Sequence, residues 1–280
     1  MPNRADPDAA GRGAPGGVPE TLSDLPWELP HRFLGLDDEA AAFETARAVL
    51  LPVPWEATTS YGGGARLGPR AILEASRYVE LWDQELGTDP SVLGIHTLPA
   101  LELTRAGAEA AMEELRSAYA RVLEACGDRF LLMLGGEHAV TSPAVLAQAD
   151  RFPDDRLTVL QLDAHADLRD SYEGTPASHA SAMARVIDRV DLVGVGIRAM
   201  SAEEVDVAWD RDADGGRRPR EGVTILWAEE TWEDDAWMDR ALEALGEKVY
   251  VTFDVDYLDP SLMPSTGTPE PGGGDWYRTL

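Results

Sequence analysis

The 280-residue chain predicts an α/β fold, three α-β-α layers around a mainly parallel central sheet. Two observations carry this. Short apolar runs of strand length alternate with longer amphipathic stretches, the pattern of a parallel sheet covered on both faces by helices. Three of those runs also end in clustered polar residues, and open α/β sheets bind ligands beyond the carboxyl ends of their strands.

The elements follow in order. Residues 1–24 open with MPNRADPDAAGRGAPGGVPE, rich in Pro, Gly, Ala and Asp, and are read as a disordered tail before a single domain over 25–280. RAVLLPV (47–53) is the first strand, and helices are expected over 69–82 and 105–126 from their Ala/Leu/Glu periodicity. RFLLML (129–134) is a strand, followed by a helix over 140–149. LTVLQL (157–162), DLVGVG (191–196), VTILW (223–227) and VYVTFD (249–254) are further strands. Helices over 179–189, 201–210 and 232–246 fill the intervals. DADGGRRPRE, 212–221, is of low complexity.

Composition excludes several function classes. No apolar run reaches the ~18 residues of a membrane span. A formal charge of −27 argues against a nucleic-acid surface, which needs clustered Lys and Arg. Most of these acids must be solvated surface, although the sign suits a cationic substrate. Lysine occurs once, as Lys248, among 24 basic residues. The lone Cys126 rules out an intramolecular disulfide and fits a reducing cytoplasm, the expected location.

The chemistry gathers at three strand ends. LLMLGGEHAV places Gly135, Gly136, Glu137 and His138 after a strand. VLQLDAHADL adds Asp163, His165 and Asp167, and VYVTFDVDYLDP adds Asp254, Asp256 and Asp259. In an extended chain alternate residues share a face, so each set should point to one side of the same sheet rim. Four carboxylates and two imidazoles would then converge, and neighbouring like charges raise carboxylate pKa values unless positive charge intervenes. Divalent metal resolves this. Six side chains exceed one tetrahedral site, so two ions sharing carboxylates are expected. Oxygen-rich ligation without thiolate favours Mn²⁺ over structural Zn²⁺, with Zn, Co and Ni left open. Two such ions roughly 3.5–4 Å apart activate water to hydroxide near neutral pH.

Together GGEH, DAHAD and FDVDYLDPSLMPSTGTPEPGG resemble the ureohydrolase family of arginases and agmatinases, and PVPWEATTSYGGGARLGPRAILEAS resembles its N-terminal strand–loop–helix region. The DLRDSYEGTPASHASAMARV run and the TSYGGGARLGP loop look most like agmatinases. The resemblance implies an arginase-like fold and two Mn²⁺ per chain that hydrolyse a guanidinium group to urea and an amine. It implies one ion on His138, Asp163, Asp167 and Asp254, and a second on Asp163, His165, Asp254 and Asp256. It further implies that Asp167 holds the bridging hydroxide and that His179, in SHAS, shuttles protons or binds substrate. Tyr61, Asp170 and Glu173 are candidate substrate contacts, the acids meeting the distal ammonium of agmatine. Family members assemble as trimers or hexamers, so a homo-oligomer is expected.

Some positions depart from the family spelling. Glu137 stands where Asp is commoner, Ala139 where Ser is usual and Ser265 where Gly is usual, and none removes a ligand. After GTPEPGGGDWYRTL, with Asp275 placed as an N-cap, the family continues with a helix, a strand bearing a guanidinium-binding glutamate and a final helix. The domain is therefore expected to lack its C-terminal part and to leave an edge of the core open. Agmatine to putrescine plus urea is the leading expectation. Arginase, guanidino-acid hydrolase and aminopropylagmatine hydrolase activities share the chemistry. A single-zinc deacetylase on a related fold and a non-catalytic metal-binding homologue are the alternatives of other classes.

Overall fold

Where the apolar runs of the sequence lie, the chain forms hydrogen-bonded strands. A computed structural model describes residues 31–214, 216–233 and 235–280; the tail expected over 1–24 lies outside them. The strands are Ala48–Val53 (β1), Ile95–Thr97 (β2), Phe130–Gly135 (β3), Thr158–Leu162 (β4), Asp191–Ile197 (β5), Trp209–Arg211 (β6), Arg217–Pro219 (β7), Val223–Trp227 (β8) and Val249–Phe253 (β9). The α-helices are Gly68–Ser76 (α1), Ala108–Cys126 (α2), Thr141–Ala149 (α3), Ala202–Ala208 (α4), Ala228–Glu233 (α5), Ala236–Ala244 (α6) and Trp276–Thr279 (α7). No helix among the described residues is long and apolar enough to cross a membrane.

The described residues divide into two compact units. The first comprises residues up to Pro54, Leu67–Leu101 and Cys126–Leu134. Its sheet has the order β2-β1-β3, with β1 and β2 parallel and Val49 opposite His96. Central β1 buries Val49, Leu50, Leu51 and Val53, whereas edge strand β3 exposes Phe130 and Leu132. Strand β2 has three residues, too few for periodicity to disclose it. Helix α1 begins with Pro69 in its first turn and ends at Ser76, short of the expected 82. The amides of Arg77 and Tyr78 bond back three residues, to Glu74 and Ala75, which tightens and closes the last turn.

The second unit comprises Trp55–Arg66, Glu102–Ala125 and Gly135–Leu280. Its four-stranded sheet has the order β8-β5-β4-β9, and every pair is parallel. Period-two alternation sends Leu192 of β5 to one face, into an apolar layer with Val159 of β4, Leu168, Met183 and Val186, and the irregularity between Val195 and Ile197 returns Ile197 to that same layer. Val193 and Val195 enter the opposite layer with Leu226, Trp237 and Tyr257. At the edge, β9 buries Thr252 but leaves Val249, Val251 and Phe253 39–59% exposed, an apolar face without a covering helix among the described residues. Near the end of β5 the register shifts at Gly196, whose φ of +83° favours glycine. A Cβ there would also lie 2.5 Å from the Tyr257 ring.

Three further helix expectations are corrected. Residues 179–189 form a 3-10 turn, His179–Ser181, followed by successive turns rather than an α-helix. The cause is a competing acceptor: Met183 and Ala184 both donate their amides to the Asp167 carbonyl, at 3.0 and 3.1 Å, instead of to a helical ladder. Helix α4 opens on a capping box between Ser201 and Glu204 and stops at Ala208. Trp209 then enters β6, which pairs antiparallel with β7 inside the low-complexity segment. The helix expected over 232–246 divides into α5 and α6. Asp275 caps α7 as expected, accepting from the Arg278 amide at 3.0 Å.

Candidate metal centre

All the expected site residues lie in the second unit. Gly136 permits the first turn, because a Cβ there would lie 1.9 Å from the Trp55 carbonyl, which accepts the Glu137 amide at 2.9 Å. Glu137 is buried and accepts from the Ala57 and Thr58 amides and the Thr58 hydroxyl, each at 2.8 Å. This seats His138. Its Nδ1 lies 2.7 Å from Asp167 Oδ2, 3.0 Å from Asp163 Oδ2 and 3.7 Å from Asp254 Oδ2. Its Nε2 is 2.9 Å from Thr252 Oγ1, a contact that fixes the orientation of the ring.

The DAHAD segment converges by a turn, not by strand alternation. Strand β4 ends at Leu162, and Asp167 sits at φ +53°, in the left-handed region. Asp163 Oδ1 accepts the His165 amide at 2.7 Å and Oδ2 accepts Gln161 Nε2 at 2.9 Å. His165 turns elsewhere, its Nδ1 3.0 Å from Asp256 Oδ2. Asp256 Oδ1 accepts the Ala164 amide at 3.0 Å, tying DAHAD to DVD. Asp254 continues from β9 with its amide donating to the Leu162 carbonyl at 2.9 Å.

Two sets of donor atoms able to hold a cation result among the described residues: His138, Asp163 and Asp254, and Asp163, His165 and Asp256. Within each set the ligand atoms lie within 4.8 Å of one another, and Asp163 belongs to both. The electrostatics favour a cation there. Burial, then the Asp163 and Asp256 charges, push the Asp254 carboxyl well above the usual range. Burial, then Asp163, lift Asp167 to about 7. Burial alone would lower His165, but bonding to Asp163 and Asp256 outweighs it and raises the imidazole to about 11. The donor set is oxygen-rich with imidazole and no thiol, so it fits hard or borderline divalent ions.

The substrate candidates are more dispersed. Tyr61 is 86% exposed. Asp170 is held by Arg185 Nη2 at its carbonyl and its carboxylate, 2.7 and 2.8 Å. Glu173 occupies a turn at φ +50°, beside Tyr172, whose ring meets His179 edge-on with centroids 5.6 Å apart. His179 contacts three hydroxyls, those of Thr58, Ser60 and Ser178. Burial is the main cause lowering its pKa.

Sequence reasoning missed Thr58, Thr252 and Arg198. Thr252 precedes Asp254 by two residues on a strand, so shared facing was a usable signal. Arg198 follows β5 without any motif to flag it. Its guanidinium donates to the carbonyls of Asp256 (2.6 Å), Glu270 (2.7 Å), Gly196 (3.0 Å) and Pro271 (3.1 Å). Opposite this clamp, Asp259 accepts the Ser261 and Gly272 amides at 3.0 and 2.9 Å and closes the 259–272 loop. These bonds, the Ser261 ones first, hold the Asp259 carboxyl at about 2, below its ordinary 3.8. A depressed folded pKa contributes stability above the unfolded value that is lost as pH falls through the folded one. The Tm difference between the wild type and D259A is therefore expected to be constant above about pH 4 and to vanish toward about pH 2. A difference that stays constant in acid contradicts this.

Comparison with known proteins agrees with this site. The arginase family profile matches residues 46–280. An N(1)-aminopropylagmatine ureohydrolase of Thermus thermophilus is 40% identical over 244 residues, 87% of this chain and 78% of that protein. The one from Synechocystis sp. is 36% identical over 263 residues, 90% of this chain and 80% of that protein. The crystal structure of the agmatine ureohydrolase of Thermoplasma volcanium superposes with a TM-score of 0.70 at 29% identity, covering 84% of this chain and 76% of that one. The parallel α/β fold, the GGEH, DAHAD and DVD turns and these similarities agree, and the chain belongs to the arginase family as a ureohydrolase.

Proposed function

We propose that the two donor sets hold a pair of Mn²⁺ ions and that the protein hydrolyses the guanidinium group of agmatine to putrescine and urea. The observation that carries this is Asp163, whose two oxygens face both His–carboxylate sets at once. His138 and Asp254 complete one set, and His165 and Asp256 the other. When bound, the ion pair supplies the field that lowers the pKa of water to near neutrality. Asp167, whose Oδ2 lies 2.7 Å from His138 Nδ1, holds the nucleophile and passes its proton toward the leaving amine. His179 exchanges protons between solvent and the leaving group. Asp170 and Glu173 meet the distal ammonium, and a cytoplasmic homo-oligomer, trimer or hexamer, belongs to the same reading.

A second reading has specific support: relatives at 36–40% identity are named N(1)-aminopropylagmatine ureohydrolases. Both are tested by urea release from agmatine, its N(1)-aminopropyl derivative, arginine and guanidino acids, with Mn²⁺ present. Turnover of agmatine is expected, lost with chelator and restored by Mn²⁺. A larger kcat/KM for the aminopropyl compound selects the second reading, and urea from none of them refutes both.

A further inference from the structure

The Thr58 hydroxyl has one proton to donate and two lone pairs to accept with. All three are used. Thr58 Oγ1 donates to Glu137 Oε1 at 2.8 Å, because Glu137 Oε2 already accepts the Ala57 and Thr58 amides. It accepts the His179 backbone amide at 3.1 Å. Its remaining lone pair faces His179 Nδ1, also at 3.1 Å.

We propose that Glu137 and Thr58 are positioning residues that fix the neutral His179 imidazole with its proton on Nδ1 and its lone pair on Nε2. The opposite tautomer would set a bare Nδ1 against an occupied hydroxyl whose proton is committed to Glu137. Ser178 Oγ, 3.3 Å from Nδ1, is the competitor that could donate to a bare Nδ1. It is farther away, and it receives an Nδ1 proton equally well. On the exposed side Ser60 Oγ lies 3.1 Å from Nε2 and donates to its lone pair. Burial keeps the ring neutral near pH 7, so the tautomer is the relevant state.

The consequence rests on the reading of His179 as a proton-exchanging group. Nε2 is then the atom that takes up and releases the proton, while Nδ1 keeps its own throughout. Glu137, acting through Thr58, supports the imidazolium that forms between those events.

The test is long-range ¹H–¹⁵N correlation of the full, metal-free chain labelled at histidine, at about pH 8, above the ordinary histidine pKa. His179 is assigned by its disappearance in H179Q. A protonated Nδ1 and unprotonated Nε2 are expected in the wild type and in T58S, with the pattern reversed or mixed in T58V. In the Mn²⁺-loaded enzyme T58V should lower kcat about 10-fold at unchanged KM, the loss of a well-placed proton carrier. A proton on Nε2 in the wild type, or an Nδ1–H pattern unaltered in T58V, overturns the proposal. The spectra need neither metal nor substrate, so absent urea release would refute the functional reading and leave the tautomer result standing.

Discussion

D163N is expected to abolish urea release and to strip metal from both donor sets. Asp163 lies 3.0 Å from His138 and 3.8 Å from His165 through different oxygens, so one substitution reaches both sets. Asparagine preserves the shape but removes the charge. It also places an amide where Gln161 Nε2 now donates at 2.9 Å, setting donor against donor inside a buried site. A fall of at least about 10³-fold in kcat/KM, roughly 4 kcal/mol of transition-state stabilisation, is the expected size. The variant should resemble chelated wild type in both activity and metal content. Bound Mn²⁺ at the wild-type level, with activity within about tenfold, would sink the assignment of Asp163 as the shared ligand.

R198M is expected to produce the second largest effect, on stability first and on metal binding through it. The guanidinium gathers the carbonyls of Gly196, Asp256, Glu270 and Pro271, and thereby holds the DVD turn against the end of β5 and the 270–271 loop. Methionine fills similar volume and satisfies none of them. Hydrogen bonds to charged groups contribute about 1.5–3 kcal/mol each, and partial exposure allows water to replace some of them, so a loss of about 3–5 kcal/mol is expected. Loosening the turn that carries Asp254 and Asp256 should weaken Mn²⁺ affinity about 10–100-fold. R198K should recover little, because an ammonium cannot span four carbonyls as a planar fork does. Denaturant unfolding and Mn²⁺ titration read the two effects. A loss below about 1 kcal/mol with unchanged affinity would show that the clamp is dispensable.

The two predictions differ in how visible their residues are beforehand. Asp163 announces itself, because a charge directly after VLQL must be compensated and two more polar strand ends lie elsewhere in the chain. Arg198 does not, because its partners are backbone carbonyls that belong to no motif. Thr58 is invisible for a similar reason: its role exists only where Glu137 and His179, 79 and 121 residues away, close on one hydroxyl. Strand positions are legible because β1, β3, β4, β5, β8 and β9 are apolar runs whose burial is local information. The run 179–189 departs from its helical pattern because the Met183 and Ala184 amides are claimed by the Asp167 carbonyl, a competitor that periodicity does not register.

By itself the sequence determined the parallel α/β class, the six main strands and the identity of the clustered His and Asp residues. These rest on composition and short-range pattern, which the chain carries without folding, while the arginase family was implied by the resemblance of the GGEH, DAHAD and FDVDYLDP motifs. Tertiary structure decided which oxygen faces which imidazole, that Asp167 reaches His138 from a left-handed turn rather than along a strand, and that His165 pairs with Asp256. It also decided that Thr252, Arg198 and Thr58 support the site. Hydrogen-bond partners are settled at distances of about 3 Å by residues far apart in the chain, and no local pattern encodes that proximity.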